Sequence, residues 1–138
     1  MLTLGKLNFD RGSGDCRSGF RLDDVDVALC AKPAGDETPA QVAARLTAVA
    51  GRGVRDITAV RQFCADQLLG DKNSGWLKPG EAALSAFQFR SKLRLISLEL
   101  GADDAVTLRF VDGGMFWGHQ VVMEIAPDFS FDFATIEG

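Results

Sequence analysis

The chain contains one histidine, so any mechanism that needs imidazole must use His119. Its three cysteines, Cys16, Cys30 and Cys64, fall in no C-x-x-C spacing and lack the close-spaced ligand pairs of a structural zinc site. Three thiols cannot all pair with one another, and reduced cysteines in a cytoplasmic protein are the simplest account. No run approaches the roughly 18 apolar residues of a membrane span. The opening MLTLGKLNFD lacks the charged and apolar regions of a signal peptide. Basic residues are not gathered into a patch: the net charge is −4, and Arg90, Lys92 and Arg94 are the one local concentration. Nucleic acid is therefore not an expected partner, and neither is a membrane. No P-loop, dinucleotide fingerprint, nucleophile elbow or zincin motif occurs, and no cofactor is expected. Asp23-Asp24-Asp26 and Asp103-Asp104 match no EF-hand loop. Repeats and low-complexity segments are missing too.

What is present is a chain with a well-specified core. Its 138 residues suit a single domain spanning 1–138, and 46% hydrophobic with 25% charged residues is ordinary for a globular protein. Apolar alternation predicts strands over Leu2 to Phe9, with Gly5 as an irregularity, over Cys16 to Leu22, and through Val25, Val27 and Leu29. The turn Asp10 to Asp15 joins the first two. These form an N-terminal meander with one wet face.

Thr38-Pro39-Ala40-Gln41 then opens a helix with a threonine cap, proline at the first helical position and a glutamine spaced for a capping box. Val42, Leu46, Val49 and Ala50 are its apolar stripe, and Gly51 or Gly53 is expected to end it. A second helix is predicted from about Val54 to Leu69, with Ile57, Val60, Cys64 and Leu68 inward and Gly70 as its stop. The two read as an αα-hairpin laid on the sheet. Asp71 to Gly80 reads as a polar loop interrupted by Trp76, and Ser85 with Gln88 caps a short third helix. Ile96, Leu98 and Leu100 mark the next strand.

The stretch Val106 to Ile125 organises the remainder. It reads as a β-hairpin around Asp112-Gly113-Gly114. A Gly113-Gly114 turn would set Phe110 against Trp117, Leu108 against His119 and Val106 against Val121; an Asp112-Gly113 turn would keep the same faces. Either register points His119 into the core, where a neutral histidine hydrogen-bonded to backbone is the commoner outcome. Phe129, Phe131 and Phe133 alternate in a last strand. The order strands, helices, strands indicates α+β: an antiparallel sheet of N-terminal and C-terminal meanders, with an αα-hairpin and a short third helix packed on one face.

Four features together resemble a bacterial family of uncharacterised proteins, the domain of unknown function numbered 2262. They are Asn73 and Trp76 in DKNSGW, the capped short helix bearing Phe89 and Leu93, the aspartate–glycine turn, and Phe116-Trp117-Gly118-His119. The chain departs from that pattern at Gly114, where a residue with a side chain is usual, which leaves the turn type open. The resemblance implies fold and soluble character and no particular chemistry.

The functional expectation is a non-catalytic binding module for a protein partner, with Trp76, Asn73, Trp117 and His119 as binding residues. Trp76 either closes one end of the core or anchors a partner, since tryptophan is enriched at interface hot spots. The alternatives are a small enzyme using His119 with a carboxylate supplied by the fold, and a homo-oligomer.

Overall fold

The Thr38 hydroxyl accepts from the Gln41 N–H at 3.2 Å while the Gln41 side chain accepts from the Thr38 N–H at 2.8 Å. This reciprocal cap starts helix α1 (Pro39–Arg55) where the sequence places it. The computed structural model describes residues 2–138. Before α1 come strands β1 (Asn8–Phe9), β2 (Cys16–Leu22) and β3 (Val25–Ala31). After it come α2 (Ile57–Gly75), α3 (Ala86–Lys92), β4 (Arg94–Leu100), β5 (Val106–Val111), β6 (Gln120–Ile125) and β7 (Phe131–Glu137).

The strands form one open seven-stranded sheet in the order β1-β2-β3-β4-β5-β6-β7. Every neighbouring pair is antiparallel except β3 and β4, which run parallel. The two predicted meanders are therefore joined by a parallel pairing, possible because three helices intervene to carry the chain back. The fold is α+β, as its segregated strands and helices imply. Val27, Leu29, Leu98, Leu108, Phe110, Val121 and Met123 share one core with the predicted α1 stripe, Val42, Leu46, Val49 and Ala50, and with Val60, Cys64 and Leu68 of α2. A fully buried side chain of this size contributes roughly 1.5–3 kcal/mol relative to an exposed one.

Several boundaries differ from the sequence expectation. Of Leu2 to Phe9 only Asn8–Phe9 pairs as strand, and Gly5 follows β2 more loosely through its N–H to the Gly19 carbonyl at 2.7 Å. Neither Gly51 nor Gly53 stops α1, and Gly70 does not stop α2. A glycine inside a helix costs about 1 kcal/mol, less than the cap and buried stripe supply. Gly53 also lies against the sheet, where an added Cβ would sit 3.4 Å from Leu98 Cδ1. The connection between α1 and α2 shrinks to Asp56 alone, so α1 covers β2, β3 and β4 while α2 covers β7 and α3.

In β4 a bulge between Leu95 and Ser97 makes Leu95 the buried residue and leaves Ile96 half-buried. A second bulge, between Glu124 and Ile125, leaves Asp132 unpaired and puts Phe131 and Phe133 on opposite faces. Phe131 meets Phe63 edge-on at 5.5 Å, whereas Phe133 is 43% exposed. Phe129 precedes the strand, in a turn at φ +68°, with the Arg52 guanidinium 3.7 Å above its ring.

The largest correction concerns the hairpin. Phe110 pairs with Val121, Leu108 with Met123 and Val106 with Ile125. Each partner lies four residues beyond the one expected from a Gly113-Gly114 turn. The faces survive because four is an even shift, but Asp112 to His119 become a connecting loop, and the core position assigned to His119 is overturned.

Candidate functional site

The loop from Asp112 to His119 is built on one carboxylate. Asp112, 5% exposed, accepts from the Gly114 N–H at 2.9 Å through Oδ1 and from the Phe116 N–H at 2.7 Å through Oδ2. Three backbone bonds tighten the coil: Met115 N–H to the Asp112 carbonyl, Trp117 N–H to that of Gly114, and His119 N–H to that of Phe116. Such a coil needs left-handed backbone. Gly113, Gly114 and Gly118 provide it freely, but Trp117 is also held there, at φ +56°. Met115 and Phe116 are buried at 2% and 0% exposure, while the ring between them and Gly118 stands out, with Trp117 52% exposed.

Trp76 meets this loop from the end of α2. Its ring lies edge-on to Phe116 at 5.4 Å, Trp117 at 5.0 Å and His119 at 5.5 Å, and Phe116 contacts Phe89 of α3 at 6.1 Å. Edge-to-face pairs in this range contribute about 0.5–1.5 kcal/mol each beyond burial. Of the four residues singled out in the sequence, Trp76, Trp117 and His119 are thus brought together. Asn73 serves as a brace: its Nδ2 donates to the Leu84 carbonyl at 3.0 Å and its Oδ1 accepts from the Leu84 N–H at 2.8 Å. It lies in the last turns of α2, since the predicted loop from Asp71 is helical as far as Gly75.

A model for a family described as an uncharacterized protein conserved in bacteria, DUF2262, matches residues 2–136. The chain belongs to this family. No curated protein and no solved structure matches it. Within this DUF2262 chain the Asn73, Trp76 and Phe116-Trp117-Gly118-His119 features, far apart in sequence, converge on one end of the sheet.

His119 is half-buried, and among the described residues no carboxylate forms an ion pair with it. An added Cβ at Gly138 would meet its Nδ1 at 3.1 Å, so the chain's last residue lies against the ring. Among the described residues no group of three His, Cys, Asp or Glu side chains converges as a metal site would require, and no helix is long and apolar enough to cross a membrane.

Sequence reasoning passed over Lys72. Its side chain is fully buried, and its Nζ donates to the Trp76 carbonyl and to Glu81 Oε1, both at 2.9 Å. The signal was there: Val60, Cys64, Leu68 and Lys72 follow one another at i+4, so the buried stripe carries a cation at its last step. This tie fixes the backbone on which the Trp76 ring is mounted.

The three thiols are free. Burial pushes Cys64 up to about 12 and also raises Cys16 and Cys30. Brief iodoacetamide treatment at pH 8, read by mass spectrometry, is therefore expected to modify half-buried Cys30 first. Cys16 and Cys64 should label only on unfolding, and rapid native labelling of Cys64 would contradict this packing.

Proposed function

We propose that this DUF2262 protein is a non-catalytic binding module that presents Trp117, backed by Trp76 and His119, to a protein partner in the cytoplasm. The observation that carries this reading is the state of Trp117. A bulky residue in left-handed backbone costs roughly 1–2 kcal/mol, and such strain persists where the surroundings over-determine it, often at functional positions. Here Asp112 fixes the loop, Met115 and Phe116 anchor it, and the resulting conformation holds a large aromatic half-exposed. A ring immobilised before contact loses little entropy on binding, and tryptophan leads the residues that dominate interface energies. A net charge of −4 supports a protein over a nucleic acid, and three unpaired thiols support a cytoplasmic setting.

The test separates display from folding. Trp117→Gly removes the ring and relieves the left-handed backbone, so stability should stay within about 1 kcal/mol of wild type. Capture of a defined partner should weaken at least tenfold, as loss of a hot-spot aromatic does. Phe133→Ser, on the outer face of the sheet, should leave capture unchanged. A partner bound equally well by Trp117→Gly, or no saturable partner at all, would remove the proposal.

A further inference from the structure

A second site lies away from the tryptophans, in the cleft between α2 and α3. It measures about 260 Å³ and is lined by Thr58 and Arg61 of α2 and by Phe87, Arg90 and Ser91 of α3. No acidic residue lines it. Arg61 spends Nη2 on Asp23 at 2.9 Å, but its Nε is buried and bonded to nothing. A buried donor without a partner is uncommon enough to need a reason. Arg90 has a neutral partner in place of a carboxylate: its Nη1 donates to Gln62 Oε1. That oxygen is turned toward it because Asp66 holds Gln62 Nε2 at 2.7 Å. The half-buried arginines Arg45, Arg61 and Arg109 each meet a carboxylate. Among the described residues Arg90 therefore meets no carboxylate at ion-pair distance, in a protein that is acidic as a whole. A guanidinium carries five donors in a fixed fork, and two such groups lining one cleft, Arg61 from α2 and Arg90 from α3, match the oxygens of a tetrahedral anion.

At the rim stands Phe87, 70% exposed, the most exposed of the large apolar side chains described. It shares α3 with Phe89, which is fully buried, so the helix had an inward position for one aromatic and displays the other. A ring beside two guanidinium groups sets an apolar surface next to their N–H donors.

We infer that this cleft binds a small phosphate monoester carrying a flat apolar group, with the phosphate on Arg61 and Arg90 and the apolar group against Phe87. The site is independent of the Trp117 platform and does not rest on its reading. The probes are phenyl phosphate, inorganic phosphate and benzoate, titrated at low salt into the full chain and followed by amide and arginine Nε–H shifts. Phenyl phosphate should saturate with a dissociation constant of about 1 mM or below, and inorganic phosphate should bind about tenfold more weakly. Arg90→Gln should weaken both phosphate ligands at least tenfold with the fold intact. Phe87→Ser should lower phenyl phosphate to the level of inorganic phosphate and leave the latter unchanged. Should Arg90→Gln fail to fold, Thr58→Val offers the second readout, and shifts confined to α2 and α3 are required in either case. No saturation by about 20 mM, equal affinity for benzoate, or phosphate binding indifferent to Arg90 and Thr58 would each overturn the assignment.

Discussion

Arg45→Ala should cost about 2–4 kcal/mol of stability, read as a lower urea midpoint at an unchanged slope. Arg45 projects from α1 with its side chain 17% exposed and reaches three separate parts of the chain. Its Nε and Nη2 donate to the two Glu37 oxygens at 2.9 and 2.8 Å, a bidentate pair. Nη1 donates to the Gly101 carbonyl at 3.0 Å and to Asp104 at 3.1 Å, and Nη2 also reaches the Lys32 carbonyl. The end of β3, the start of α1 and the β4–β5 turn are thus held by one guanidinium, and truncation leaves two main-chain acceptors without that donor. Lysine cannot reproduce the fork, so Arg45→Lys should recover only part of the loss.

The pH dependence of that loss has a definite sign. The hydrogen bond from Arg45, followed by that from the Ala34 N–H, holds Glu37 below its ordinary value of 4.5. A carboxyl depressed in the fold contributes stability that is complete above its unfolded value and disappears as pH falls through the folded one. The gap between wild type and Arg45→Ala should therefore be widest near neutrality and should narrow below about pH 4.5. A gap that widens in acid would show that Glu37 is not the partner that matters.

Much of this architecture was legible because local signals agreed with one another. Thr38 with Gln41 and Ser85 with Gln88 each combine two side chains that satisfy each other's backbone partners, and both boxes form as written. The even spacing of Val106, Leu108 and Phe110 placed them on the core face whatever the register. Where the reading failed, a long-range contact outweighed a local preference. Gly51, Gly53 and Gly70 look like stops, but α1 buries Val42 to Gly53 and α2 buries Val60 to Lys72 on one side, and the helices continue through the glycines. The parallel pairing of β3 with β4 leaves no trace in either strand's own pattern.

The hairpin shows the same conflict in miniature. Asp112-Gly113-Gly114 is a strong two-residue turn signal. Phe116, however, needs the core between Trp76 and Phe89, and a tight turn would have spread it along a strand. The chain instead coils through Gly118, and the residues of the candidate site leave the sheet. Trp76 and Trp117 could be suspected singly as large aromatics beside glycines. Their contact could not, because it depends on where α2 ends, and that end is set by Lys72 and Asn73.

Asp112→Ala should be the most damaging single change to the site, costing about 2–4 kcal/mol and abolishing display of Trp117 without touching an aromatic ring. Hydrogen bonds to a charged acceptor are worth about 1.5–3 kcal/mol each, and the N–H of fully buried Phe116 loses its acceptor. Without the carboxylate, the packing of Met115 and Phe116 is not enough to offset the left-handed backbone at Trp117, so the loop should relax and the ring should leave Trp76. Iodide should then quench tryptophan fluorescence more strongly than in wild type, and the midpoint of unfolding should fall. Asp112→Asn retains one acceptor oxygen but sets an amide N–H₂ against a backbone donor, so its effect should be intermediate. Comparison with Trp117→Gly decides between scaffold and contact: that variant should keep its stability and lose its partner, whereas Asp112→Ala should lose both. If Asp112→Ala instead unfolds at the wild-type midpoint with unaltered quenching, the carboxylate does not set the loop, and the strain at Trp117 must be held by the packing of Met115 and Phe116 alone.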